Sequence, residues 1–322
     1  MTRMQLLRAA LAALCVTLSP LGQAQTYPSK PIRFIVPNPP GGGTDVLSRL
    51  LASRMTEVLQ WQIVVENRPG AGGNIGLDAA AKAPPDGYTV AMGEASNLAI
   101  NPSLYAKMPF DPEKDFAAVA LIGTVPLVLV AAPDRGLDSL ATVVSAAKSR
   151  SLSFASAGNG TVGHLVGEIW QRAAGVKLLH VPYKGAAQAM TDLAGGQVDI
   201  FFASLPAALP LIRSGKLRAL AVTSSQRAPL LAEVPTVAES GLNDFEATVW
   251  YGVVAPAATP APIVARLNAE INRVLQTPEV RSRYAADGID VRGGTAAEFA
   301  AFTDRERAKW SRAVRESGAR ID

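Results

Sequence analysis

Cysteine is nearly absent from this 322-residue chain, which has one, Cys15. It lies in the apolar stretch Ala9 to Leu18, behind Arg3 and Arg8 and ahead of Pro20 and Gly22. That stretch falls well short of the ~20 apolar residues a bilayer span needs. With small residues at Gly22 and Ala24, residues 1–24 are expected to be a secretory signal cleaved near Ala24. Leu14 stands where a lipoprotein site needs a small residue before its cysteine, so no lipid anchor is expected. Cleavage would remove the only thiol, excluding disulfides, thiolate catalysis and cysteine-bound metals. Long apolar runs are also missing; the best later one, Val119 to Ala132, is broken by Gly123 and Pro126. The mature chain is therefore expected to be soluble and outside the cytoplasm.

Histidine and charge are scarce too. The chain has 2 histidines, and only 18% of its residues are charged. Its formal charge of +4 falls to +2 when Arg3 and Arg8 leave with the signal. No Lys/Arg cluster interleaves with aromatics, so nucleic acid is not an expected partner. About 300 residues suffice for two domains with real cores.

What is present is a repeated pattern. Ile32 to Val36 reads as a strand, followed by the loop Pro37-Asn38-Pro39-Pro40-Gly41-Gly42-Gly43 and a helix opened by Thr44-Asp45. Val46, Leu47, Leu50, Leu51, Met55 and Val58 recur at helical spacing. Ile63 to Val65 is a second strand, then come the loop Glu66 to Asn74, a small-residue helix from Ile75 to Lys82, and a strand from Tyr88 to Met92. The same grammar restarts with strand Leu152 to Ala155, loop Ser156 to Gly160 and a helix from Thr161 to Ala174. Strand Leu178 to Val181, loop Pro182 to Gly185, helix Ala186 to Ala194 and strand Val198 to Phe202 complete it. Alternating strands and helices predict parallel pairing within two similar α/β lobes. Ala120 to Ala132 and Trp250 to Ala255 are the candidate crossing strands. Tail helices are predicted over Pro262 to Gln276, Pro278 to Ala286 and Ala296 to Ser317, packing on the first lobe.

Open parallel sheets bind ligands beyond the carboxyl ends of their strands, where both Gly-rich loops fall. Each leads into a helix N-terminus, whose unpaired N–H groups and positive dipole end favour an anion. Thr44, Ser156 and Thr161 add hydroxyl donors, although Thr44 and Thr161 could instead serve as helix caps. A carboxylate could be held there without arginine.

The strings PNPPGGGTD (Pro37 to Asp45), ENRPGAGGNIG (Glu66 to Gly76), NPSLY (Asn101 to Tyr105), SAGNGTVGHL (Ser156 to Leu165) and VPYKG (Val181 to Gly185) occur in that order. Ser204 to Pro210 and Glu233 to Val237 continue the series. Together they resemble the Bug-type substrate receptors of tripartite tricarboxylate transporters over nearly all of the mature chain. The resemblance implies a periplasmic, non-enzymatic, Venus-flytrap (type II) binding protein for carboxylates, each lobe a mixed, mainly parallel sheet flanked by helices. Lobe 1 is expected over residues 25–124 and 247–322, lobe 2 over 125–246. Implied ligand contacts are Asn38, Gly41, Gly42, Gly43, Thr44, Asp45, Ala71, Gly72, Asn74, Glu94, Ser96 and Asn97 in the first lobe. In the second they are Ser156, Gly158, Asn159, Gly160, Thr161, Tyr183, Lys184 and Ala203. A monomer is expected, handing its ligand to membrane subunits of a tripartite transporter or signalling to a sensor kinase, with no cofactor and no metal.

Three positions depart from the pattern. Such receptors usually place an apolar residue where Asn38 stands, a small hydroxyl or amide residue where Glu94 stands, and often an acid where Ala203 stands. Glu94 either faces the cleft, to meet a ligand ammonium or hydroxyl, or points to solvent at its strand end. Other motifs carry less. Gly158 to Gly163 matches GxGxxG, but the next strand ends in Pro182-Tyr183-Lys184, without the acid a dinucleotide site wants. His164 and Glu168 share a helical face at metal-ligand spacing, yet no third ligand is evident. His164 with Ser156 suggests a hydrolase, but no Gly-x-Ser-x-Gly elbow accompanies them, and Asp192 and Asp199 read as structural. Ile263, Leu267, Ile271, Val274 and Leu275 form a core stripe, and Glu298 to Arg315 a surface helix.

Overall fold

The first three strands, β1 (Ile32–Val36), β2 (Ile63–Asn67) and β3 (Thr89–Glu94), form parallel pairs with β1 in the middle. The computed structural model describes residues 27–321. The expected signal segment, with Cys15 and the Ala24 cleavage site, lies outside that range. Helices α1 (Gly43–Leu59) and α2 (Asn74–Ala81) connect these strands. A π-helical turn over Ser96–Ile100 and the short α3 (Asn101–Leu104) follow β3.

Strand β4 (Phe116–Ala131) is the long crossing element, and β9 (Thr248–Pro256) is the return. Between them lie α4 (Leu140–Ser149), β5 (Leu152–Ser156), α5 (Val162–Ala173), β6 (Leu178–Pro182), α6 (Ala186–Ala194), β7 (Ile200–Ser204), α7 (Leu205–Arg213) and β8 (Arg218–Val222). The tail adds α8 (Ala261–Leu275), α9 (Pro278–Ala286), β10 (Asp290–Val291) and α10 (Ala296–Ser317). Strand order is β2-β1-β3-β9-β4-β7-β5-β6, with β8 and β10 also paired to β4. The parallel pairs are β1 with β2 and β3, and β5 with β6 and β7. Every antiparallel pair involves β4 or β9, the strands that join the two halves. One end of β4 serves β9 and β10, the other β7 and β8, so a single strand belongs to both lobes.

The predicted repeat is present: each half runs strand, loop, helix, strand, loop, helix, strand. The tail packs on the first half. Trp250 of β9 meets Phe299 and Phe302 of α10 edge-on, with ring centroids 6.0 and 5.5 Å apart. Glu306 accepts the indole N–H groups of both Trp250 and Trp310 at 3.0 Å. In α8 the predicted stripe is inward: Leu267, Ile271, Val274 and Leu275 are buried, while Ile263 is half-buried. The second half has its own core around Val128, Leu193, Phe201, Ala203 and Leu209. Helices α3, α4 and α7 and strands β8 and β10 escaped the sequence reading; all but the ten-residue α4 are short or, in α7, contain Pro206 and Pro210. Among the described residues no helix is long and apolar enough to cross a membrane.

Candidate functional site

The carboxyl ends of β1, β3, β5 and β7 converge on a cavity of about 80 Å³ between the halves. A water needs at least about 10–15 Å³ of such space, so the cavity has room for several water-sized groups. Four helices open onto it: α1 through Gly42, Gly43 and Thr44, α5 through Thr161, Val162 and Gly163, α6 through Gly185 and Ala186, and α7 through Ser204. The residues capping these helices, Gly42, Thr161, Gly185 and Ser204, make no side-chain capping bond. By contrast, α4 and α10 carry full capping boxes, Ser139 with Thr142 and Thr295 with Glu298. The helices at the cavity therefore leave first-turn N–H groups free for a ligand, with the positive ends of their dipoles aimed inward. Close approach demands glycine at Gly163, where a Cβ would lie 2.5 Å from the Phe202 carbonyl oxygen.

The first-lobe end of the cavity is built differently. Glu94 ends β3 directly opposite Tyr251 of β9 and is only 5% exposed. Its carboxylate accepts hydrogen bonds from Asn38 Nδ2 at 2.8 Å, Thr44 Oγ1 at 2.7 Å and Ser96 Oγ at 2.7 Å. The expectation that Glu94 points to solvent is therefore corrected: it lines the cavity with those three partners. Tyr251 sits beside it, against Thr44 and Ser204; burial and the Glu94 charge push its pKa far up, keeping the phenol neutral.

Of the residues expected at the site, Asn38, Gly42, Gly43, Thr44, Glu94, Ser96 and Thr161 line the cavity. The others do not line it, and their surroundings show why. Asp45 accepts from Gly41 N–H, Arg49 and Asn67. Burial opposes its charge, but these bonds outweigh burial and hold its pKa below the ordinary carboxylate value. Asp45 thus braces the first loop, Gly41 included, rather than meeting a ligand. Asn97 turns its Oδ1 to the Glu94 N–H. Gly72 meets the second lobe, since a Cβ on it would lie 2.9 Å from the Asn159 carbonyl oxygen; Ala71 beside it is exposed, and Asn74 is held within the first lobe, its Oδ1 accepting from Asn101. Tyr105 reaches across as well, donating its hydroxyl to the Asn159 carbonyl at 3.2 Å.

In the second lobe, Ser156, Gly158 and Gly160 are committed to loop structure. Ser156 Oγ lies 2.7 Å from His180 Nε2 and accepts the Gly158 N–H, while the Gly160 N–H points to His164 Nδ1 at 3.4 Å. Ser156 is thus partnered by His180, not by the His164 of the hydrolase reading, and it lies buried behind the cavity. Tyr183 packs on the second core, Lys184 is exposed, and Ala203 shares a strand face with Phe201 in that core. Asp199 is structural, accepting from the Ser153 N–H and hydroxyl and from Arg150.

The missing third partner of His164 and Glu168 is His180, all three offering ligand atoms within 4.8 Å of one another. The two imidazoles stack with centroids 4.2 Å apart. Burial lowers the pKa of His164 to about 4; burial and the His164 charge lower that of His180 to about 3. As neutral rings bonded to Ser156 and Gly160, they prop the second Gly-rich loop. Sequence reasoning missed Leu127, Phe201, Phe202, Val249, Tyr251 and Ser204 as cavity walls. Tyr251 could have been found only through its register against Glu94, and Ser204 was visible only as part of a string.

Comparison with known proteins agrees with this architecture. Residues 47–319 match the family model described as "Tripartite tricarboxylate transporter family receptor". Protein BugT of Bordetella pertussis is 42% identical over 301 residues, covering 92% of each chain. Among solved structures, "R. palustris Rpa4515 with adipate" superposes with a TM-score of 0.89 at 35% identity, covering 92% of this chain and all of that one. MatC from Rhodopseudomonas palustris "with bound malate" gives 0.85 at 33% identity, covering 89% of this chain and all of that one. With the two-lobed fold of periplasmic binding proteins and a cavity between its halves, the chain belongs to the tripartite tricarboxylate transporter receptor family.

Proposed function

We propose that this protein captures a small carboxylate in the cavity between its lobes and catalyses nothing. The observation that carries this reading is the convergence of four helix N-termini, none with a side-chain cap, on one cavity. The carboxylate is held by backbone N–H groups of Gly43 and Thr44 on one side and of Val162, Gly163 and Ala186 on the other. Similar proteins named for adipate and malate support the class of ligand. Lobe 1 comprises residues 25–124 and 247–322, lobe 2 residues 125–246, and β4 and β9 act as the hinge.

A ligand touching both sets of N–H groups stabilises the closed form. Shifting such an equilibrium from 1:99 to 99:1 needs about 5.5 kcal/mol of differential binding. A few charge-assisted hydrogen bonds of ~1.5–3 kcal/mol each suffice. After signal cleavage near Ala24 the receptor works as a periplasmic monomer, and its closed form docks on the membrane subunits of a tripartite transporter.

Calorimetric titration of a panel of small acids against their amides tests this. At least one acid is expected to bind where its amide does not, because an amide carries no charge for the helix ends. Equal binding of an acid and its amide refutes the reading, as does turnover of a bound acid.

A further inference from the structure

Resting on the carboxylate reading above, we infer that the ligand is an acid bearing an ammonium group, and that Glu94 is the residue that selects it. The direction of the hydrogen bonds around Glu94 carries the inference. The Ser96 hydroxyl spends its one hydrogen on Glu94 Oε1, and the Thr44 hydroxyl spends its own on Oε2. Asn38 Nδ2 gives one hydrogen to Glu94 Oε1 and the other to Thr44 Oγ1, both at 2.8 Å. The Tyr251 hydroxyl is engaged with Thr44 and Ser204.

No side-chain hydrogen of Asn38, Thr44 or Ser96 remains to offer a ligand. What this end presents is acceptors: the Asn38 carbonyl, the hydroxyl lone pairs and the Glu94 carboxylate. A carboxylate has about four acceptor sites, of which three are filled here, leaving one on Oε2. No lysine or arginine lines the cavity, and among the described residues Glu94 has no ion pair. The second-lobe wall, by contrast, presents the free N–H groups of α5 and α6.

A ligand matching both ends has an anionic acceptor at one side and a donor at the other. The Glu94 charge, buried in a low-dielectric wall, favours a cationic donor over a neutral hydroxyl and opposes a second carboxylate. Glu94 therefore turns a general acid cradle into one for amino acids and related amino-carboxylates.

Matched pairs titrated calorimetrically into the mature protein test the idea: aspartate and 4-aminobutanoate against succinate, and glutamate against glutarate. In the wild type the best ammonium-bearing acid is expected to bind at least about tenfold tighter than its dicarboxylate partner, the range for one charge-assisted hydrogen bond. In Glu94→Gln that ratio should collapse towards unity or invert. A dicarboxylate binding the wild type as tightly as its ammonium partner overturns the inference, as does an unchanged ratio in Glu94→Gln. The wild-type ratio decides the matter even if the variant fails to fold. Binding of a dicarboxylate or monocarboxylate without ammonium preference sinks this inference alone; binding of no acid at all sinks the carboxylate reading with it.

Discussion

Gly43 lies at the first position of α1, where the two lobes meet beside the cavity. A Cβ placed on it would sit 2.5 Å from Ser204 Oγ, 3.2 Å from Ser204 Cβ and 3.0 Å from the Tyr251 hydroxyl. Ser204 belongs to the opposite half, so the Gly43→Ala methyl wedges against it only when the lobes are together. Within the first lobe the methyl meets only the Tyr251 hydroxyl, which has to give by a few tenths of an ångström, and the ~0.5–1 kcal/mol by which alanine stabilises a helix relative to glycine offsets that cost. Forcing one methyl into a packed contact costs about 1–3 kcal/mol. That corresponds to a loss of roughly 5- to 150-fold in affinity if closure holds the ligand. Calorimetry on any acid the wild type binds, paired with ligand-free thermal melts, should show weaker binding with an unchanged or slightly raised Tm. Ser204 caps α7 without a side-chain capping bond, so Ser204→Gly sacrifices little there and should restore most of the affinity in the double variant. Wild-type affinity in Gly43→Ala, or no recovery in the double variant, would refute the closure geometry.

Acid should destabilise the protein through its histidine stack. The folded pKa values of about 4 for His164 and about 3 for His180 lie below the ordinary value near 6.5, so the unfolded chain binds more protons. Stability is then complete above about pH 6.5 and falls as pH drops towards 4 and below. At ~1.4 kcal/mol per unit, His164 alone accounts for roughly 3 kcal/mol. Urea unfolding at pH 7 and pH 4.5 checks this, and identical pH slopes for wild type and His164→Gln would contradict it. In the first lobe, Glu306→Leu would strand the buried indole N–H groups of Trp250 and Trp310. At ~1–3 kcal/mol for each unsatisfied donor, a loss of about 2–6 kcal/mol is expected in urea unfolding. Glu306→Gln, which keeps an acceptor oxygen, should lose less than half as much; equal losses would show that the shared acceptor is unimportant.

Local physics wrote much of this molecule legibly into its sequence. Apolar periodicity and Gly-rich loops placed α1, α5, α6 and the tail helices within a residue or two, and Ala186–Ala194, Pro278–Ala286 and Ala296–Ser317 end to end. The repeated strand-loop-helix order established two α/β halves, because each element must bury its own apolar face. Loops leading into helix N-termini announced an anion site, since the first turn of a helix always has spare N–H groups. What sequence could not decide was which residues at those loops face the ligand. Asp45, Ser156 and Asn97 have side chains suited to binding, yet each is consumed by a neighbour that only folding supplies: Asn67, His180 and the Glu94 N–H. His180 joined His164 and Glu168 only when β6 came to lie beside α5, a long-range pairing with no local signature. Glu94 shows the division most clearly. The chain marked it as unusual, but the strand register against Tyr251 and the three donors around it are products of tertiary packing. Those contacts turned an acid at a strand end into a buried acceptor facing the cavity.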